Sequence, residues 1–296
     1  MTGEPDSSNP QRATGNCRIT VVLLAVFSLV LPPPACGAEL GPQTATAFDR
    51  YVQLTEKQID ATPREGRDFL WVDRLAESRR NAAYAQLRQG QVVIEAIETL
   101  ENGQPIAIPG GMVHHWLGTI FIRGATLSRT LALLKDYDHQ AEYYKPDVVR
   151  SRILEHNGDD FRIYLRFYKK KVLTSVLDTQ HEVHYTSVSA TQAMSRSRSL
   201  HIREVENAEK ADEKLRPEGD DRGLLWRMNN YWRFEEKDGG TYIECQSVSL
   251  TREIPTGLGW LVGPYVNSVP RESLAFTLNA TRAALAAKSA ERAAAR

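Results

Sequence analysis

Cysteine is scarce: the 296 residues hold three, Cys17, Cys36 and Cys245. The first two lie in an N-terminal stretch with the texture of an export signal, so Cys245 stands alone in the body of the chain. That leaves no disulfide framework and no cysteine-based metal site. Cys245 falls in a strand pattern, where a small buried apolar residue is expected and not a nucleophile. An excess of either charge is also lacking, with 37 Lys plus Arg against 37 Asp plus Glu. Zero net charge offers no electrostatic footprint for nucleic acid and does not point to membrane contact. No apolar run reaches the ~20 residues that a bilayer-spanning helix needs. There is no His-Glu-x-x-His helix, no P-loop and no GxGxxG; Gly257-Leu258-Gly259 has neither the length nor the context. No internal repeat is evident. No cofactor and no metal are expected.

The longest apolar run is Ile19 to Leu31 (ITVVLLAVFSLVL). Arg12 and Arg18 precede it, and Pro32-Pro33-Pro34 stops any helix. Cys36-Gly37-Ala38 then supplies small residues. This is the pattern of a signal peptide over residues 1–38, cut after Ala38, and it predicts a periplasmic or secreted protein. An uncleaved N-terminal anchor is the alternative. A lipoprotein reading through Cys36 is weaker, because Pro33 stands where a lipobox wants an aliphatic residue.

Residues 39–90 read as a helical extension, too short to hold a core alone. One helix is predicted from Thr44 to Ile59 and a second from Leu75 to Arg88, ending at Gly90. Strands are expected over Gln91–Leu100 and Val113–Arg123. Thr126 then caps a helix with Leu127, Leu131 and Leu134 on one stripe. That helix is expected to run on through Tyr144 to Pro146, which stops it. A series of strands follows: Val149–Leu154, Phe161–Lys169, Lys171–Asp178, Glu182–Ser189 and Ser197–Val205. The charged stretch Glu206–Arg222 reads as a solvated loop.

The clearest strand pair is Gly223 to Arg252. Leu224, Trp226, Met228, Asn230, Trp232 and Phe234 alternate with Leu225, Arg227, Asn229, Tyr231 and Arg233. The return arm alternates likewise, and Lys237-Asp238-Gly239-Gly240 supplies the tight turn. Leu258–Val269 reads as a short helix or turn. Arg271 onward is a helix with Leu274, Leu278 and Leu285 on one face, fraying into a disordered tail over 289–296. Antiparallel strands with helices on one side make an α+β fold. A C-terminal helix across a curved sheet is a helix-grip arrangement.

Gly124 to Leu154 (GATLSRTLALLKDYDHQAEYYKPDVVRSRIL), the strands after it, and Leu224–Phe234 with Gly239–Leu250 carry a resemblance. With Leu134-Lys135-Asp136-Tyr137 ahead of Tyr144, Pro146, Val149 and Ser151, the chain resembles the START-like superfamily, also called SRPBCC or Bet v 1-like. It is nearest in texture to the polyketide cyclase and coenzyme Q-binding branches. The resemblance spans residues 91–288; the export signal and the N-terminal helices depart from it. It implies a cavity between sheet and C-terminal helix that holds a hydrophobic small molecule, a lipid or quinone. The inward faces assigned to that cavity are Phe161, Ile163, Leu165 and Phe167; Trp226, Met228, Trp232 and Phe234; and Leu274 and Leu278.

Other candidates were weighed on the same residues. His114 and His115 point to opposite strand faces, as do His181 and His184, so neither pair chelates one ion. Asp136, Asp138 and His139 cluster where the helix ends. They read as solvated residues, or as an acid–base group if a cyclase- or hydrolase-type enzyme uses the cavity together with Arg227. Ser151 and His156 form no nucleophile pattern. Arg162, Arg166, Arg227 and Arg233, with Tyr164, Tyr168 and Tyr231, read as polar outer surface, with a cavity lining that anchors an anion as the alternative. A third possibility is a non-catalytic envelope protein using residues 44–89 to dock. The oligomeric state is not legible.

Overall fold

The computed structural model describes residues 38–62, 66–170, 174–254 and 259–294. The run Ile19–Leu31 and the two early cysteines lie outside the described residues. Two helices lead the fold, α1 (Pro42–Ala61) and α2 (Glu77–Arg88), joined by a short 3-10 turn at Trp71–Arg74. The main strands are β1 (Val93–Ala96), β2 (Gly111–Arg123), β3 (Val148–Asn157), β4 (Asp160–Lys170), β5 (Thr174–Ser187), β6 (Gln192–Glu206), β7 (Arg227–Lys237) and β8 (Gly240–Arg252). Helix α3 (Leu127–Leu134) follows β2, and α4 (Gly259–Ala294) closes the chain.

The strands form one antiparallel sheet in the order β1-β2-β8-β7-β6-β5-β4-β3, with the two-residue strand Lys214–Leu215 paired beside β6. The chain therefore crosses once, from β2 through α3 to the far edge, and then returns as a meander that sets β8 against β2. This is the helix-grip fold expected from the sequence. The β7–β8 turn is the anticipated one: Asp238 and Gly239 have φ of 56° and 72° and link the Lys237–Gly240 pair. Two central residues with positive φ match the twist of the arms, and Asp-Gly meets that demand. Thr126 caps α3, accepting from Arg129 N at 3.3 Å.

Both faces of the sheet's centre are covered. Ile120, Phe234, Ile243 and Cys245 share the concave face with Leu274, Leu278 and Leu285 of α4. The convex face meets the N-terminal helices: Phe48, Tyr51 and Ile59 pack on Trp226, Tyr231, Val248 and Leu250. Leu87 of α2, with Phe69 and Leu70, packs on Phe121 and Tyr242. Helices 44–89 thus spend their apolar residues on their own sheet.

Several expected boundaries change. The helix predicted through Tyr144 breaks at Lys135; Tyr137–His139 is a 3-10 turn and Gln140–Tyr143 a single turn. The two strands expected across Lys171–Ser189 are one, β5, because both its edges are paired along its length. Helix α4 begins at Gly259, ahead of the predicted Arg271, and absorbs the short element expected there. The helix runs on past Lys288 to Ala294, with the Ser289 hydroxyl donating to Leu285 O at 2.7 Å and accepting from Arg129. Among the described residues no helix is long and apolar enough to cross a membrane.

Candidate functional site: the cavity under the C-terminal helix

The concave face and α4 do not close to solid packing. Between them lies a cavity of about 610 Å³. Its walls are mostly apolar: Leu134, Val148, Ile163, Leu165, Phe167, Leu177 and Val183 on one side, Met228, Trp232, Phe234, Leu274 and Phe276 on the other. The strand period of two places these residues, since every second side chain of β4, β5 and β7 faces inward.

Gly118 sets how closely the helix approaches. A Cβ built there would lie 2.6 Å from Leu278 Cδ1 and 3.1 Å from Leu274 Cδ2. Gly118→Val is therefore expected to push α4 outward and to cost about 1–3 kcal/mol by overpacking. A urea midpoint at the wild-type value would contradict the contact.

The floor is polar but uncharged. Ser195, Ser197, Asn230, Ser247 and Ser249 line it from the three central strands. Asn230 pairs in register with Ser197 on one side and Ser247 on the other. Near α3 the Tyr137 and Tyr185 hydroxyls are 2.9 Å apart, and the Tyr144 hydroxyl lies 3.0 Å from Thr281 Oγ1. Burial raises all three phenols, Tyr144 to about 12, so they stay neutral hydrogen-bonding groups. Cys245 also lines the cavity; burial pushes its thiol up, which keeps it a thiol and not a nucleophile. Five charged residues are at the lining, Asp147, Lys169, Arg222, Arg252 and Glu253; Lys169 pairs with Asp147, and Arg222 with Glu204.

Of the ten residues assigned from the sequence, Ile163, Leu165, Phe167, Met228, Trp232, Phe234 and Leu274 line the cavity. Phe161 is buried one step away, stacked on His156 at 4.1 Å and edge-on to Tyr185. Leu278 is fully buried over Gly118. Trp226 is on the other face, against α1, with its Nε1–H donating to Asp221 at 3.2 Å. It precedes β7, and the chain has just turned at Gly223 (φ 70°), so the alternation that places Met228 does not extend back to it.

The arginine face is not cavity lining, and only part of it meets solvent, where Arg162 pairs with Glu155. Arg166 is buried in a fork with Asp178 and Glu213, and Arg233 is buried beneath the N-terminal helices. The extension and the 206–222 segment cover what a lone sheet would leave wet. Arg227 donates to Trp226 O and faces Glu218 at 3.5 Å.

Asp136 and His139 do meet, at 2.6 Å, but the pair lies off the cavity. Partial burial pushes the Asp136 carboxyl up, yet hydrogen bonds from Tyr143, His139 and Lys288 outweigh that and hold it below the ordinary carboxylate value. A lowered carboxyl is the opposite of what a general acid needs. Asp138 Oδ1 accepts from Ile153 N at 2.8 Å, and Ser151 Oγ from Ala141 N at 2.8 Å, both tying the turn to β3.

His114 Nε2 is 3.0 Å from Thr251 Oγ1, and His115 lies between Tyr51 and Gln246. His184 pairs with Asp160 on the surface. Among the described residues no three His, Cys, Asp or Glu side chains are grouped to hold a metal. The sequence places Asn230 on the same face as Met228 and Trp232 and offers His181 as a metal candidate, but assigns neither to the cavity lining, where both lie. Asn230 had a signal, a polar residue at an inward position of a strand whose neighbours are aromatic.

The fold and cavity define a helix-grip protein with an apolar chamber. No family model matches the chain, and no curated protein matches it. Solved structures of similar fold include a STAR-related lipid transfer protein from Xanthomonas axonopodis, 18% identical, covering 60% of this chain and 95% of that one at a TM-score of 0.42. They also include the Zhui aromatase/cyclase from a Streptomyces species, 14% identical over 59% of this chain and 94% of that one at 0.41. Human STARD10 is 9% identical over 74% of this chain and 84% of that one at 0.39. The functional reading below rests on the cavity.

Proposed function

We propose that the protein is exported and binds an apolar or amphipathic small molecule, of lipid type, in the cavity between sheet and C-terminal helix. One observation carries this reading: a chamber of about 610 Å³ whose walls are mostly apolar and whose floor is built of serine and asparagine side chains. Such a lining favours a ligand with a large apolar body and a few neutral polar atoms. Chemistry is not favoured, since Asp136 and His139 lie off the cavity and Arg227 is held by Trp226 O and Glu218. The docking role of residues 44–89 is not favoured either, because their apolar face is already buried.

Native mass spectrometry of protein recovered from its own cell envelope tests the proposal. The expected spectrum shows a co-purified small apolar molecule on a chain shortened by residues 1–38. A full-length chain would overturn the export reading. Repeated recovery without ligand, together with no uptake of the neutral dye Nile red, would overturn the binding reading.

A further inference from the structure

A smaller cavity lies on the other side of the sheet. It measures about 170 Å³ and sits between the convex face, the end of α1 and the 3-10 turn. Gln58 and Arg74 line it and are exposed, so it opens to solvent. Ile97, Leu117 and Met194 give it an apolar wall, and Glu244 and Gln246 reach it from one face of β8.

Glu244 is 4% exposed, and its Oε2 accepts from Trp71 N at 2.7 Å. Among the described residues its Oε1 has no hydrogen-bond partner, and that oxygen is not sealed from solvent. Burial raises the carboxyl to about 7, against the pull of Trp71 N, Arg233 and Arg74; Asp73 adds to the rise. Asp73 is itself tied to Lys237, and Arg196 of β6 to Asp60. Thr119, opposite on β2, is uncharged. His115, bonded to Gln246, is dropped by burial to about 4 and stays neutral near pH 7. Arg74 makes no ion pair among the described residues; its guanidinium donates to Asp68 O at 3.4 Å.

These groups all offer hydrogens to one guest. Arg74 supplies a guanidinium fork, Gln58 and Gln246 supply amides, and Glu244 supplies an O–H once it holds a proton. A carboxylate only accepts, so it meets that set. A cation would have to sit among Arg74, Arg196 and Arg233, which all line the cavity. The apolar wall adds a place for a short hydrocarbon part, which separates an organic acid from sulfate or phosphate.

We propose that this pocket binds a small carboxylate with a short apolar tail, held by Arg74, and that Glu244 takes up a proton as the anion enters. The site is separate from the lipid-type cavity and does not rest on it. Negative charge beside a carboxyl favours its protonated form. Binding is then linked to one proton, and affinity rises as pH falls through about 7.

The test is titration with butyrate at pH 6, 7 and 8, followed by the Trp71 indole N–H signal in NMR. Butyrate stays ionised throughout, so any pH dependence belongs to the protein. Binding about tenfold weaker at pH 8 than at pH 6 is expected, which is the change in protonated fraction of a group that titrates near 7. Glu244→Gln can still accept from Trp71 N and does not titrate, so it should bind butyrate equally at all three pH values. Arg74→Gln, at an exposed position, should lose binding at every pH while keeping the wild-type urea midpoint. Sulfate should displace butyrate poorly. Wild-type affinity that is flat or rises with pH overturns the proton uptake. Binding untouched by Arg74→Gln, or sulfate as effective as butyrate, overturns the carboxylate site, as does a Trp71 signal that butyrate never moves.

Discussion

Acidification from pH 6.5 to pH 4 is expected to unfold the protein. His114, His115 and His181 are each 5% exposed or less, and burial drops each pKa from 6.5 to about 4. Unfolded, the rings take up protons below pH 6.5; folded, they resist until about pH 4. In that window the unfolded chain binds more protons, so stability falls as pH falls. Each histidine contributes about 3 kcal/mol, at about 1.4 kcal/mol per pKa unit. Glu244 works against them. Burial raises its carboxyl from 4.5 to about 7, so its contribution is present at acid pH and is lost as pH rises from 4.5 to 7. Three rings outweigh one carboxyl, and the net loss is on the order of 5 kcal/mol, comparable to the whole stability of many domains. Urea midpoints between pH 7.5 and 4 should fall steeply, and unfolding without denaturant should precede pH 4. A flat midpoint through that window would refute the account. His115→Gln should flatten the profile by roughly half, since Gln retains a partner for Tyr51 or Gln246 and does not titrate.

The same histidines show what the sequence could and could not tell. Alternation in β7 and β8 is legible because the strands are long and one face is apolar; it puts Met228, Trp232 and Phe234 on one face, and that face borders the cavity. Alternation also says that His114 and His115 face opposite ways, which is so: His115 meets Tyr51 of α1 and His114 meets Thr251. It does not say that both sides are buried. A face carrying Arg227, Asn229, Tyr231, Arg233 and Glu235 has the composition of a wet surface. It is dry only because α1 and the 3-10 turn lie over it, and helix-to-sheet contacts are not local in sequence. Trp226 fails for another reason. Period-two reasoning holds only within a strand, and β7 begins at Arg227. The cavity is the least legible feature, since no alternation distinguishes a filled interior from an open one. Gly118 was its faint signal: a glycine mid-strand marks a close approach, here of Leu274 and Leu278.

Arg233→Met is expected to loosen the N-terminal helices while leaving the cavity in place. Arg233 projects from β7 to the convex side and is 6% exposed. Its Nη1 donates to Phe69 O at 2.6 Å and its Nη2 to Ile59 O at 3.3 Å, with the guanidinium 5.2 Å over the Phe69 ring. Ile59 is in the last turn of α1, where its carbonyl also accepts from Thr62 N at 3.2 Å and a cation is favoured. One side chain thus satisfies the end of α1 and the segment leading to α2. Met fills much of the same volume but donates nothing, so Phe69 O loses its donor while Ile59 O keeps Thr62 N. At about 1–3 kcal/mol for an unsatisfied group, the expected loss is about 2 kcal/mol. Glu244 does not add to it. Arg233 is among the groups that lower its pKa, so without the arginine the carboxyl rises further above about 7 and takes up a proton near neutrality. Glu244→Gln should accordingly change little by itself near pH 4.5 and should remove the contribution that opposes the histidines, so that the loss of stability on acidification from pH 7 becomes steeper. Hydrogen exchange separates the layers: amides of α1 and α2 should lose protection in Arg233→Met, whereas β4, β5 and α4 keep theirs and Nile red still binds. Uniform loss across both layers would mean that the helices and the cavity fold as one unit, and the convex layer would then belong to the ligand site's own stability.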